Sequence, residues 1–129
     1  MIEVTYLDGT VKNYDTFNKI EDNESVIKID CSDNKLTKLP DDMNFPNLQH
    51  FRCANNKLTE LPDKMNFPSL QLFDCGGNQL TKLPENMNFP NLQIFSCSDN
   101  QLTKLPDNMN FPDLRTFFCY SNQLTQLPL

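Results

Sequence analysis

The pattern of apolar and polar positions repeats every 22 residues from about residue 26 to the end of the chain. Cysteine, asparagine and leucine each keep this step, and the tetrapeptide Met-Asn-Phe-Pro occurs four times. The three columns are Cys31, Cys53, Cys75, Cys97 and Cys119; Asn34, Asn56, Asn78, Asn100 and Asn122; and Leu36, Leu58, Leu80, Leu102 and Leu124. A fixed period of this length is typical of a solenoid of stacked coils.

Residues 48–69 show how one coil is built. Phe51 and Cys53 are apolar and alternate with His50 and Arg52, which predicts a strand with one buried side. A single coil cannot bury that side alone, whereas stacked neighbours can, and their strands then form a parallel sheet. Because strands pack more closely than the return segments, we expect the stack to curve with the sheet on its concave side.

The remainder of the coil returns the chain to the next strand. We expect the Asn56 amide to bond the backbone of its own turn and of the next coil. Pro62 and Pro68 hold the return path extended and exclude a long helix there, and Phe67 is predicted to fill the back of the coil.

These residues resemble the leucine-rich repeat, with Phe and Cys in place of two customary leucines. The matching segment is Leu48-x-x-Phe51-x-Cys53-x-x-Asn56-x-Leu58-x-x-Leu61-Pro62, and a first strand with Val26 and Ile29 is a variant of it. The likeness covers residues 26–129 and implies an arc of about five coils, with a concave parallel sheet and a largely helix-free convex side. The repeats are similar to those of bacterial internalins and effectors, and equally to repeat proteins of large DNA viruses of amoebae.

The first 25 residues depart from the repeat and are predicted to cap the first coil. Asp8-Gly9 indicates a two-residue hairpin turn, with Ile2, Val4, Tyr6 and Val11 on one face. A short helix is expected over residues 15–20. The alternative is a small separate domain, which 25 residues could hardly build because their core would be too small.

No equivalent cap follows the last repeat in the sequence, so the final strand is predicted to be an exposed apolar edge that invites pairing with another chain. Either the chain is truncated or something covers that end. The residues predicted for a self-association edge are Phe117, Phe118, Tyr120, Leu124 and Leu127.

The net charge of −6, with acids and lysines interspersed, disfavours nucleic acid and anionic membranes as partners. No run of about 18 apolar residues is present to span a membrane. The N-terminus lacks a secretory signal, so an intracellular, cytoplasmic location is expected, which for an effector or viral protein would be the host cytoplasm.

The sequence offers little for catalysis, and we expect no enzyme, no cofactor and no metal site. Cysteines at a fixed translational step form a line rather than the tetrahedron that zinc needs, so each is expected to be a small buried residue. His50 has no nucleophile placed beside it. Gly76-Gly77 lacks the spacing of a phosphate loop and fits a local turn.

The outward strand positions vary between coils, whereas return-segment positions such as the threonine column are nearly identical. This contrast indicates that the concave face carries specificity; alternatively, return-segment residues make turn contacts and the strands are free to vary. The predicted partner-binding residues are His50, Arg52, Leu72, Asp74, Ile94, Ser96, Thr116, Phe118 and Tyr120. We expect a non-enzymatic protein-binding module on that face, or else an assembly unit joined as a homodimer or larger species through the last coil. A third possibility is the repeat region of an effector whose catalytic domain lies elsewhere.

Overall fold

The computed structural model describes residues 1–126, and within them the chain forms a solenoid of stacked coils. Short strands and two 3-10 helices are its regular elements. In chain order they are β1 (Ile2–Tyr6), β2 (Val11–Tyr14), η1 (Phe17–Lys19), η2 (Asn23–Ser25), β3 (Val26–Asp30), β4 (Asp42–Asn44), β5 (His50–Arg52), β6 (Lys64–Asn66), β7 (Leu72–Asp74), β8 (Ile94–Ser96) and β9 (Thr116–Phe118).

The main sheet has seven strands in the order β2-β1-β3-β5-β7-β8-β9. From β3 onward every pair is parallel, and equivalent repeat positions lie side by side, as Phe51 beside Phe73 and Phe73 beside Phe95. This register follows from the 22-residue period, because one coil adds one strand. The predicted solenoid with a parallel sheet is therefore confirmed.

The opposite side of each coil contains no α-helix within residues 1–126, which agrees with the predicted helix-free return path. It does contain strand pairing that the sequence did not predict. Asp42–Asn44 pairs in parallel with Lys64–Asn66, and an isolated parallel bridge joins Asn88 to Asn110. The prolines on this path exclude helix but leave the Met-Asn segment free to pair.

The core consists of columns that run along the stack. Phe51, Phe73 and Phe95 are completely buried, with centroids of successive rings 5.6 Å apart. A second column of rings comes from the return segments, where Phe67 is 1% exposed and lies 5.4 Å from Phe51, centroid to centroid. The predicted position of Phe67 at the back of the coil is confirmed.

Buried asparagines tie the coils together. The Asn78 amide donates to the carbonyls of Cys75 in its own coil, at 3.0 Å, and of Cys53, at 3.1 Å, and its Oδ1 accepts from the Leu58 amide at 3.0 Å. The predicted role of Asn56 holds in the same geometry, with one correction: the neighbour it bonds is the preceding coil, through the carbonyl of Cys31, and not the next one.

The N-terminal hairpin occupies one edge of the main sheet, where β1 pairs antiparallel with both β2 and β3. Its loop has three residues, and not the predicted two, because the Gly9 amide bonds the Tyr6 carbonyl and Gly9 adopts φ +90°. That register sets Val11 opposite Thr5, on the other face from Val4, so Val11 is exposed and the prediction of one shared face was wrong for it. A single 3-10 turn, Phe17–Lys19, replaces the predicted short helix.

Candidate binding surface

The outward positions of β3, β5, β7, β8 and β9 form two columns across the main sheet, and the residue two places after each strand adds a third. We call this surface the sheet face. Parallel pairing sets the columns in register, with His50 beside Leu72 and Leu72 beside Ile94. The first column is Lys28, His50, Leu72, Ile94 and Thr116; the second is Asp30, Arg52, Asp74, Ser96 and Phe118; the third is Ser32, Ala54, Gly76, Ser98 and Tyr120. The predicted binding residues therefore share one surface.

Large apolar side chains gather on the sheet face toward β9, and we call Leu72, Ile94, Phe118 and Tyr120 the apolar patch. Ile94 is 37% exposed, Phe118 44% and Tyr120 62%, while Leu72 is half-buried. The rings of Phe118 and Tyr120 meet edge to face, with their centroids 6.4 Å apart. Large side chains held on a hydrogen-bonded sheet give a binding partner an apolar surface. Their ordering on binding costs little conformational entropy.

Charged groups lie on the other half of the sheet face. The Arg52 guanidinium is 3.9 Å from the Asp74 carboxylate, and the other oxygen of that carboxylate accepts from the Gly76 amide at 3.0 Å. Partial burial lowers the pKa of His50, and the positive charges of Lys28 and Arg52 lower it further. His50 is therefore neutral at pH 7, and it presents hydrogen-bonding nitrogens rather than a third positive charge.

The third column departs from the expectation of outward, exposed positions. Ser98 is only 2% exposed, and its hydroxyl has no hydrogen-bond partner among the described residues. It lies between Gly76, which contributes no side chain, and the large Tyr120. Burial at this position depends on the neighbouring coil, which the alternation within one strand does not reveal.

The cysteine column lies behind the sheet and is sealed from solvent along most of its length. Cys31, Cys53, Cys75 and Cys97 are buried, and Cys119 is partly exposed. Burial raises the pKa of Cys31 and Cys97 to about 12 and that of the two middle thiols well above the ordinary value. These thiols remain protonated and unreactive at neutral pH. Within residues 1–126, no group of three or more His, Cys, Asp or Glu side chains is arranged to hold a metal ion.

The residues predicted for a self-association edge lie in the last coil. Phe117 and Leu124 are partly buried against the core, and Phe118 and Tyr120 are exposed on the sheet face. Leu127, the fifth of them, falls outside the described residues. The four described residues thus divide between the end of the core and the sheet face.

Comparison with known proteins agrees with this architecture. A family model described as leucine-rich repeats (two copies) matches residues 24–64, 46–88 and 90–129. No curated protein matches the chain. The described residues include no helix of the length and apolar character needed to cross a membrane. The matches cover most of the sequence, and the chain belongs to the leucine-rich repeat family.

Proposed function

We propose that this chain is a protein-binding module that engages its partner on the sheet face, with the apolar patch as the anchor. Leucine-rich repeats are generally protein–protein interaction modules, and the family is typically non-enzymatic. The choice of the sheet face within this chain is our own inference. It rests on the placement of exposed apolar side chains.

The observation that carries the proposal is the clustering of the apolar patch. Six large hydrophobic side chains among the described residues are exposed, and three of them, Ile94, Phe118 and Tyr120, lie on or next to the adjacent strands β8 and β9. Exposed apolar and aromatic residues grouped on a rigid surface are typical of binding hot spots. The other three, Met1, Leu7 and Val11, belong to the N-terminal hairpin region, outside the repeats.

The charged half of the sheet face would give the partner its orientation. Arg52 is 45% exposed at its side chain and only loosely paired with Asp74, so it is free to meet a carboxylate of the partner. Exposed pairs of this kind add specificity more than affinity. Because five coils offer a small area, we expect an interface at the lower end of the usual size range and a moderate affinity.

The test is to capture partners with the immobilised chain, purify the captured protein and measure its affinity for variants by calorimetry. Ile94→Ala and Phe118→Ala should each weaken binding by roughly 5- to 30-fold, as truncation of a hot-spot residue does. Val11→Ala is the matched control, because Val11 is an exposed apolar residue, 52% accessible, at the far end of the same sheet.

The control should bind like the original chain, and all three variants should keep its circular dichroism spectrum and Tm within a few degrees. A purified partner whose affinity is the same for Ile94→Ala, Phe118→Ala and the original chain would overturn the choice of the sheet face. It would move the search to the return segments.

A further inference from the structure

Each coil of the stack is completed by the coil that follows it. The carbonyl before each strand accepts from the next coil, as Gln71 O does from the Gln93 amide at 2.8 Å. The cysteine amide after each strand donates forward, as Cys75 N–H does to Ser96 O at 2.9 Å. An acceptor and a donor, four residues apart, therefore flank each strand and face the next coil. A second donor lies two residues further on, as Gly77 N–H does when it donates to Ser98 O at 2.9 Å.

In the last coil the equivalent groups have no partner among residues 1–126. They are the Arg115 carbonyl, the Cys119 amide and, beyond the strand, the Ser121 amide. The amide of Thr116 and the carbonyl of Phe118 bond back toward β8 and its flanks, at 3.0 and 2.9 Å. Because backbone groups of successive residues point to opposite sides of a strand, both the N–H and the C=O of Phe117 face away from β8.

Between residues 115 and 119 the outer edge of β9 therefore presents a symmetric row of backbone groups, and the Ser121 amide lies outside this row, in the turn. It reads acceptor at Arg115, donor and acceptor at Phe117, and donor at Cys119. A two-fold axis at Phe117 in an antiparallel pair places each donor opposite an acceptor. The row is thus complementary to itself.

We propose that a second copy of this chain pairs with the first through β9, antiparallel about a two-fold axis at Phe117. The two Phe117 residues exchange both of their backbone hydrogen bonds, and each Cys119 amide donates to the Arg115 carbonyl of the second copy. The pairing joins the two seven-stranded sheets into one continuous sheet, and because it is isologous it closes at two copies.

The side chains at this edge favour the same pairing. Phe111, Leu114, Phe117 and Leu124 are only partly buried, whereas the equivalent residues Phe89, Leu92, Phe95 and Leu102 are 2% exposed or less. A second copy would cover them. β9 carries no charged residue, while β2 at the opposite edge of the sheet carries Lys12, a residue type that discourages edge pairing.

Light scattering across a wide range of protein concentrations is the first test. We expect a species of twice the chain mass of 15.0 kDa at high concentration, in equilibrium with the monomer. Cys119→Pro removes the edge amide and should shift the species to monomer. Cys119→Ala, which keeps the amide, should leave the dimer unchanged. A monomer at every concentration up to about the millimolar range, or growth beyond the dimer, overturns the proposal.

Cross-linking tests the register and does not depend on the proline variant. In the Cys119→Ala background, Phe117→Cys should form an intermolecular disulfide under mild oxidation, since hydrogen-bonded antiparallel partners are about 5.5 Å apart at Cα. Thr116→Cys is the matched control, because two copies of residue 116 would lie about 8 Å apart, beyond disulfide reach. Equal cross-linking of the two variants, or none in Phe117→Cys, contradicts the proposed axis.

This pairing stands apart from the proposed binding function. Cys119→Pro leaves every side chain of the apolar patch in place, and Ile94→Ala leaves the edge of β9 intact. Loss of the dimer in Cys119→Pro with unchanged partner affinity would therefore support only the pairing through β9. Loss of partner affinity in Ile94→Ala with an unchanged dimer would support only the binding of a partner on the sheet face.

Discussion

The third and the last coils contain nearly the same residues in different surroundings. Phe73 and Cys75 in the third coil are completely buried, whereas Phe117 and Cys119 in the last coil are partly exposed. The Phe73 ring has ring neighbours from the coils before and after it, but among the described residues Phe117 has a ring neighbour only in the coil before it, Phe95.

The difference shows that a coil of this protein cannot bury its apolar side chains by itself. Part of the burial of apolar side chains such as Phe73 comes from the following coil, as expected for a one-dimensional stack in which only neighbours interact. The same residue should therefore contribute much more to stability in the third coil than in the last, and pairs of equivalent substitutions test this directly.

The largest contrast is expected for the phenylalanine column. Phe73→Ala should lower the free energy of unfolding by about 3–5 kcal/mol, because it removes a fully buried ring and leaves a cavity. Phe117→Ala should cost about 1–2 kcal/mol, since its site is open and can relax. Urea denaturation at low protein concentration measures both. Equal losses for the two variants would mean that the last coil is as well packed as the third.

The asparagine column isolates the effect of burial from that of hydrogen bonding. Asn78 and Asn122 make matching bonds, including those from the amides of Leu58 and Leu102 to their Oδ1 atoms, both at 3.0 Å. Asn78→Ala should cost about 2–4 kcal/mol because its backbone partners stay buried and unsatisfied. Asn122→Ala should cost about 1 kcal/mol, because water can replace the lost bonds. If Asn122→Ala is as damaging as Asn78→Ala in thermal melts, solvent does not reach the last coil.

The fall in folding stability at alkaline pH tests the burial of the thiol in the third coil. Burial raises the pKa of the Cys75 thiol well above its ordinary value, so the folded chain keeps a proton that the unfolded chain loses above about pH 8.5. This stabilisation is present below that pH and is lost as pH rises, by about 1.4 kcal/mol per pH unit for each such thiol. Between pH 8.5 and 10 the free energy of unfolding should fall less steeply in Cys75→Ala than in the original chain, because the contribution of one thiol is removed. An unchanged slope in Cys75→Ala would contradict the assignment.

The smallest contrast concerns the turn after the strand. Gly77 and Ser121 occupy equivalent positions with φ of +68° and +55°. Gly77→Ala should cost about 1–2 kcal/mol because of that left-handed conformation, and because the added Cβ would clash with Asn55 Oδ1. Ser121→Gly should instead raise stability slightly, by about 0.5–1 kcal/mol. Thermal melts compare them, and stabilisation by Gly77→Ala would contradict the turn geometry.

Much of this fold could be predicted from the sequence because the same residue pattern, and with it the same set of contacts, recurs in five coils. The alternation of Phe51 and Cys53 with polar residues gave the strands, and recurrence of Asn56 and its equivalents indicated the ladder. Features that depend on the neighbouring coil were missed. Ser98 is buried although its position alternates outward, and the strand pairing of Met43 with Met65 depends on the spacing between coils.

The candidate surface could be predicted only as a set of variable positions. Their register follows from the period, so the sequence was sufficient to place Leu72 beside Ile94. The accessible area of each side chain could not be inferred in this way, because it depends on how Phe118 and Tyr120 turn toward each other. The face of Val11 was misjudged because one extra loop residue reverses the alternation in β2.

The direction of the asparagine bonds has a consequence for how the chain folds as it is made. Each asparagine completes the coil before it, and the leucine amide that it satisfies lies 20 residues earlier. At a synthesis rate of about 5–20 residues per second, that amide waits roughly 1–4 s for its partner to leave the ribosome. A nascent chain therefore exposes only one incomplete coil at a time, and its most recent segment always finishes the one that emerged just before.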